Sequence, residues 1–187
     1  MKFNGSSLRL KDYDYTQPGP YFVTAVTDGR KCIFGNVVGG GMQLNESGQI
    51  VADAWQWLGL QYPYLELGAA VVMPKHFHGI IMIGEPSCRG GTRPAPTGRD
   101  PAPAGCDPAP TEMSMKIKPL GQLVGAFKTV SAKRINLLHG TPGLSVWQRD
   151  FYERVIRDQN ELERIHQYIL DNPANWHEDD ENAKLSS

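Results

Sequence analysis

The sequence has few of the features that would place it in a membrane or in an oxidising compartment. Its 187 residues include three widely spaced cysteines, an odd number that fits neither a disulfide framework nor a zinc site: Cys32, Cys88 and Cys106. The chain has no run of 18 apolar residues, and its first residues lack the apolar core of a signal peptide. We therefore expect a cytoplasmic protein that does not associate with membranes.

The chain also lacks a strong net charge, because 19 basic residues nearly balance 20 acidic ones. A net charge of −1 by itself argues against a nucleic-acid-binding protein, but the charges are unevenly distributed. Residues 113–157 hold eight Lys or Arg against two acids, whereas residues 158–187 hold eight acids against two bases. The basic segment is either a surface that contacts phosphates or a solvated helix face, and charge alone leaves both open.

The length is sufficient for one domain with a hydrophobic core, and we predict a single domain over residues 1–187. Residues 85–112 interrupt it, since they hold seven of the fourteen prolines and a seven-residue repeat that begins at Pro94, Pro101 and Pro108. Such a stretch buries little apolar surface, so we predict a flexible insert. The acidic tail at about residues 177–187 is predicted to be frayed.

The hydrophobic pattern predicts an α+β fold. Runs of apolar and β-branched residues predict strands at residues 21–27, 42–44, 65–73 and 77–83, with a glycine turn before the second. Near-helical spacing predicts helices at residues 46–59, 119–138 and about 158–170, the first and last opened by Asn45 and Asp158. Strands joined by hairpins and accompanied by helices favour an antiparallel sheet with helices packed on it.

The most informative stretch is residues 71–83, in which two apolar runs flank a short polar turn. His76 and His78 are separated by Phe77, so on a strand both imidazoles point to one face. Two neutral imidazoles on a rigid strand can hold a divalent cation. Taken alone, the pair is more often two polar residues at the start of a strand.

Three segments of the chain together are more specific than the histidine pair. They read Met-Pro-Lys-His-Phe-His-Gly-Ile-Ile from Met73, Trp-Gln-Arg-Asp-Phe-Tyr-Glu-Arg-Val-Ile-Arg-Asp from Trp147, and Tyr-Ile-Leu-Asp-Asn-Pro-Ala-Asn-Trp from Tyr168. In this order they resemble the HUH single-tyrosine transposases, and most closely the REP-associated tyrosine transposases. The resemblance runs from Arg9 to Trp176 and implies a ferredoxin-like HUH nuclease core.

The resemblance also implies a chemistry: a DNA transposase or single-strand endonuclease that cuts and rejoins DNA, with single-stranded hairpin DNA as substrate. Tyr152 is predicted to attack a phosphodiester and form a 5′-phosphotyrosine, assisted by Mg²⁺ or Mn²⁺ held by His76 and His78. A third ligand stays open, because Ile156, four residues after Tyr152, cannot ligate a metal. By proximity the candidates are Glu153, Asp158 and Gln159.

Basic side chains around these motifs are candidates for contacts with DNA phosphates: Lys75, Lys128, Lys133, Arg134, Arg149, Arg154 and Arg157. One alternative is a catalytically weakened DNA-binding protein of the same fold, which fits the missing third ligand. Another is a metal-dependent hydrolase of small molecules, which fits the histidine pair but leaves Tyr152 and the basic segment unexplained. The resemblance is compatible with a monomer or a homodimer.

Overall fold

The structure is a computed structural model that describes residues 13–84 and 117–176. Its strands in chain order are β1 (Gly19–Val26), β2 (Gly35–Val38), β3 (Gly41–Leu44), β4 (Leu65–Val72), β5 (His76–Ile83) and β6 (Tyr152–Val155). Its α-helices are α1 (Glu46–Gln61), α2 (Leu120–His139) and α3 (Gln159–Asp171).

The main sheet has four antiparallel strands in the order β4-β5-β1-β6, and β2 pairs with β3 in a separate hairpin. The elements β1-α1-β4-β5-α2-β6 form the ferredoxin-like β-α-β-β-α-β arrangement. The predicted α+β class with an antiparallel sheet is therefore confirmed.

Two helices begin at the residues that the sequence pointed to. The Asn45 side chain accepts a hydrogen bond from the Gly48 amide at 2.9 Å, and the Asp158 side chain accepts one from the Glu161 amide at 2.8 Å. The Glu161 carboxylate in turn accepts from the Arg157 amide at 3.0 Å. These bonds satisfy backbone donors that the first helical turn leaves unpaired, so both predicted N-caps are confirmed.

Two strands, β2 and β6, were not predicted from the sequence. The hairpin turn was expected, and Gly39 and Gly40 at φ of 59° and 78° make it, but β2 before the turn was missed. The strand β6 was missed because Tyr-Glu-Arg-Val is short and charged, and it is defined by its pairing with β1. Such tertiary pairing routinely overrides weak local strand preference.

The sheet separates two apolar layers. Helices α1 and α2 cover one face, where Trp55, Phe77 and Phe127 pack with ring centroids 4.7 to 5.5 Å apart. A smaller cluster on the other face joins Phe22 and Ile80 of the sheet to residues of α3. Because strand side chains alternate, placing Phe77 in the larger core directs His76 and His78 toward α3.

The predicted insert at residues 85–112 and the predicted tail at residues 177–187 lie outside the described residues, as do Cys88 and Cys106. In the described part of the chain, no helix is both long enough and apolar enough to cross a membrane.

Candidate active site

The two histidines lie side by side under the end of α3. Their ring centroids are 4.6 Å apart, and the residues are only 7% and 4% exposed. Both belong to β5, one residue apart on either side of Phe77. The shared strand face that the sequence predicted is therefore present, and both histidines are buried there at the start of β5.

His78 is held by residues of β1, the neighbouring strand. Its Nδ1 lies 2.7 Å from the Thr24 hydroxyl, which stands directly opposite it in the register of the two strands. Its ring also stacks on Phe22, with a centroid distance of 5.3 Å. A hydrogen bond to one ring nitrogen fixes the imidazole orientation and assigns the other nitrogen to a ligand.

Two residues near the end of α3 complete the surroundings of the histidines. Asn172 Oδ1 lies 3.3 Å from His76 Nε2, and the Tyr168 ring meets the His78 ring at a centroid distance of 5.4 Å. Residues four apart on a helix share one face, and Asn172 continues the helical backbone as the C-cap of α3. Tyr168 and Asn172 therefore point together toward the sheet.

Lys75 and Trp176 close one side of the site. The Trp176 ring lies 5.9 Å from the His76 ring, and the Lys75 ammonium stands 4.7 Å over the same indole. An ammonium over an indole face is attracted by the negative charge of the π-system. Lys75, predicted to contact phosphate, thus also has an intramolecular role at the edge of the site.

Burial keeps both imidazoles neutral. It lowers the pKa of His76 to about 4; the hydrogen bond to Asn172 opposes this shift, and the charge of Lys75 adds to it. The pKa of His78 is likewise well below its ordinary value, mainly through burial and secondarily through the neighbouring His76. Near neutral pH both rings are therefore in the uncharged form that binds metals.

The donor set fits a divalent cation. Two imidazole nitrogens and one amide oxygen suit Mn²⁺ and, with water or phosphate oxygens added, Mg²⁺. The 3.3 Å between His76 Nε2 and Asn172 Oδ1 is close to the roughly 3 Å expected for adjacent ligands that each lie about 2.1 Å from one ion. Among the described residues no three His, Cys, Asp or Glu side chains cluster, and the Asn172 amide is the protein oxygen that lies beside the two imidazoles.

Tyr152 shares the sheet face of the histidines but stands farther from them. It pairs with Thr24 across β6 and β1, and Thr24 pairs with His78 across β1 and β5. Side chains paired across antiparallel strands point the same way. Two strand spacings place the Tyr152 backbone roughly 10 Å from that of His78. Tyr152 as the nucleophile stays a prediction, and the ring contact with His78 belongs to Tyr168.

None of the three third-ligand candidates meets the histidines. Glu153 pairs with Val23, so it faces the α1 and α2 side of the sheet. Asp158 caps the start of α3, and Gln159 in its first turn bonds Glu163. Nine residues of helix separate Gln159 from Tyr168, a rise of about 13 Å. The positions of these three side chains follow from the register of β6 and from the direction in which α3 runs.

Apart from Lys75, the predicted DNA-contacting residues divide into three groups. Lys128 forms hydrogen bonds within the protein: its ammonium donates to the carbonyls of Gln148, Arg149 and Asp150 at 2.6, 2.9 and 3.2 Å. Lys133 and Arg134 are exposed on α2, across the sheet from the histidines. The remaining three lie on or next to β6: Arg149 and Arg157 are exposed, and Arg154 pairs with Glu161.

The sequence did contain a signal for the residues that were missed. Tyr168 lies on the helix predicted to about residue 170, and Asn172 follows four residues later, where the structure continues the helical backbone. That spacing gives a phenol and an amide a common helix face. The predicted third ligands instead lie shortly after Tyr152, which begins a strand and not a helix.

Comparison with solved structures identifies the class of fold. A REP-associated tyrosine transposase solved in complex with a REP hairpin superposes with a TM-score of 0.53 and 19% sequence identity. The match covers 91% of this chain and 73% of that one. The protein therefore has the fold of a REP-associated tyrosine transposase.

The family is defined by a closer relative. An uncharacterized protein of Haemophilus influenzae is 32% identical over 177 residues, which cover 92% of this chain and 90% of the relative. The chain belongs to the same family as that protein. No protein-family model matches the sequence.

Proposed function

We propose that the protein is a DNA transposase or single-strand endonuclease that cuts and rejoins DNA through a covalent 5′-phosphotyrosine. The substrate would be single-stranded DNA, including hairpins, and the cofactor Mg²⁺ or Mn²⁺. The fold shared with a transposase bound to a REP hairpin supports this class. The observation that carries the proposal is local: a tyrosine, an amide and two neutral histidines converge on one face of the sheet.

The proposed cation site consists of His76, His78 and Asn172. A bound divalent cation would neutralise charge on the scissile phosphate and hold it in place. In the metal-free protein the Nε2 proton of His76 donates to the Asn172 oxygen; with the proton on Nδ1 instead, Nε2 and that oxygen can both face one ion. With the Thr24 hydroxyl oxygen as acceptor, His78 donates its Nδ1 proton and presents Nε2 to the ion.

Tyr168 is the nucleophile that the geometry favours, because its ring contacts His78 while Tyr152 lies two strands away. Its oxygen would bond to phosphorus as the bond from phosphorus to the 3′ oxygen breaks. The phenol proton leaves to solvent, and the departing 3′ oxygen takes up a proton. The phosphotyrosine retains the bond energy, so attack by another 3′-hydroxyl reverses the step and joins strands without ATP.

The alternative of a catalytically weakened DNA-binding protein depended on a missing third ligand. Because Asn172 offers an oxygen beside His76 and Tyr168 contacts His78, we favour an active enzyme over that alternative. A small-molecule hydrolase stays less favoured, because it gives no role to the tyrosine beside the histidines or to the arginines along β6.

The test is a covalent-adduct assay. The protein is incubated with a labelled pool of single-stranded hairpins with varied flanks, with Mg²⁺, Mn²⁺ or EDTA, and adducts are resolved on a denaturing gel. We expect an adduct that requires the metal. His76→Gln and His78→Gln should each abolish it, because the chain would lose one of its two imidazole ligands.

His166→Gln is the matched control, since this histidine is exposed on the same helix as Tyr168. It should form the adduct normally. An adduct that forms equally well in EDTA, or the absence of any adduct across the pool despite DNA binding, would contradict the proposal.

A further inference from the structure

An open groove lies beside the edge strand β6, away from the histidines. Its volume is about 500 Å³, within the range of ligand-binding pockets. Its walls come from Tyr15 ahead of β1, from β6 and from the start of α3. The side chains that matter to its chemistry are an aromatic ring, three guanidinium groups and three carboxylates: Tyr15, Arg154, Arg157, Arg164, Glu153, Asp158 and Glu161.

The carboxylates of the groove are already engaged. Glu161 forms the ion pair with Arg154 and accepts from the Arg157 amide, and Asp158 caps α3. Within the described residues, neither Arg157 nor Arg164 has an acidic partner, although Arg164 Nε donates to the Asn160 carbonyl at 3.3 Å. Glu153, the third carboxylate of the lining, is buried. Two exposed guanidinium groups therefore face a groove in which Glu161 is ion-paired and Asp158 is held as the helix cap.

The groove can be reached from the proposed active site along one face of the sheet. Arg154 in its wall pairs with Phe22 of β1, and the Phe22 ring stacks on His78 with a centroid distance of 5.3 Å. Side chains paired across antiparallel strands point the same way, so this part of the wall lies on the histidine side of the sheet. A single DNA strand whose phosphate lies at the histidines can therefore continue along β6 into the groove.

We propose that this groove binds an unpaired nucleotide of the DNA strand, with its base against Tyr15 and neighbouring phosphates on Arg157 and Arg164. Aromatic rings with adjacent cations are the usual means of holding single strands, because every base has a face to stack and every nucleotide a phosphate. The inference rests on the proposed function, since it takes DNA as the substrate.

The experiment measures binding without cleavage. The full-length protein is titrated against fluorescein-labelled random-sequence single-stranded DNA in EDTA, by anisotropy, over a series of salt concentrations. Arg157→Gln and Arg164→Gln should each weaken binding about fivefold and reduce the slope of log affinity against log salt by about 0.7, as expected for one lost phosphate contact on a single strand. Arg157→Lys should keep the slope.

Tyr15→Leu should weaken binding at least fivefold through lost stacking while leaving the salt slope unchanged, and Tyr15→Phe should bind normally. Lys31→Gln is the charge control. This exposed lysine follows the C-terminal end of β1, whereas the groove lies near the N-terminal end of that strand. Circular dichroism confirms that each variant is folded.

Three results are distinguishable. Changed slopes at Arg157 and Arg164 with an unchanged slope for Tyr15→Leu support the subsite. Intact DNA binding in all groove variants, equal to that of Lys31→Gln, overturns the subsite and leaves the proposed function standing. If the unaltered protein binds no single-stranded DNA, the subsite and the proposed function both fall.

Discussion

At the scale of single residues, the burial that keeps His76 neutral also costs stability in acid. The unfolded chain binds a proton with the ordinary histidine pKa of 6.5, whereas the folded chain does so only near pH 4. Between these values the unfolded state binds more protons, so acidification favours unfolding. The stability contributed by neutral His76 is therefore complete above pH 6.5 and is lost as pH falls toward 4.

This gives a pH-dependent prediction for the metal-free protein. The free energy of unfolding, measured by urea denaturation in EDTA, should fall steadily between pH 7.5 and 4.5. His76 accounts for on the order of 3 kcal/mol of this fall, from about 1.4 kcal/mol for each unit of pKa shift. His76→Gln should flatten the profile. Parallel profiles for the two proteins would contradict the assignment.

Thr24 is the residue that fixes the tautomer of His78 in this account. Thr24→Val keeps the shape but removes the hydroxyl, so Nδ1 loses its partner and the ring its orientation. We expect Mn²⁺ affinity, measured by titration calorimetry, to drop about tenfold or more. Thr24→Ser should restore most of it.

Nitrogen chemical shifts give a second measurement on the same residue. In the unaltered protein the His78 ring should carry its proton on Nδ1, and in Thr24→Val it should show a mixture of tautomers. Equal Mn²⁺ affinity and an unchanged tautomer in Thr24→Val would exclude this role.

At the scale of elements, Lys128 joins α2 to the segment that leads into β6. Its ammonium donates to three consecutive carbonyls, and burial lowers its pKa while Asp150 opposes the shift. We predict that Lys128→Met destabilises the protein by about 1–3 kcal/mol, because these carbonyls lose a charged donor. Urea denaturation measures the change.

Lys133→Met is the matched control, since Lys133 is exposed on the same helix. Its effect should stay within about 0.5 kcal/mol, as for most surface substitutions. Equal stability changes in the two variants would mean that the Lys128 bonds do not stabilise the segment before β6.

At the scale of the whole molecule, local patterns predicted most of the fold. Asn45 and Asp158 marked the starts of two helices, and the alternation around Phe77 placed both histidines on one face. The short strand β6 was missed because it exists through its register with β1, which no local pattern contains. That register decides which side chains of residues 152–155 face the histidines.

The candidate site was likewise predictable only where it depends on a local pattern. The histidine pair could be predicted, because the period of a strand is local. The partners on α3 could not be assigned from sequence order, since Tyr168 lies 90 positions after His78 and packing of α3 under the sheet brings them together. The motif resemblance included Tyr168 and Asn172 but did not assign them a role.

The most direct test of this account identifies the residue that carries the DNA. Trypsin separates the two tyrosines, because Tyr152 lies in the peptide 150–154 and Tyr168 in the peptide 165–184. After adduct formation and nuclease digestion, mass spectrometry should find the nucleotide on the peptide with Tyr168. Tyr168→Phe should form no adduct, and Tyr152→Phe should form it. A nucleotide on Tyr152, with Tyr168→Phe still active, would contradict the account.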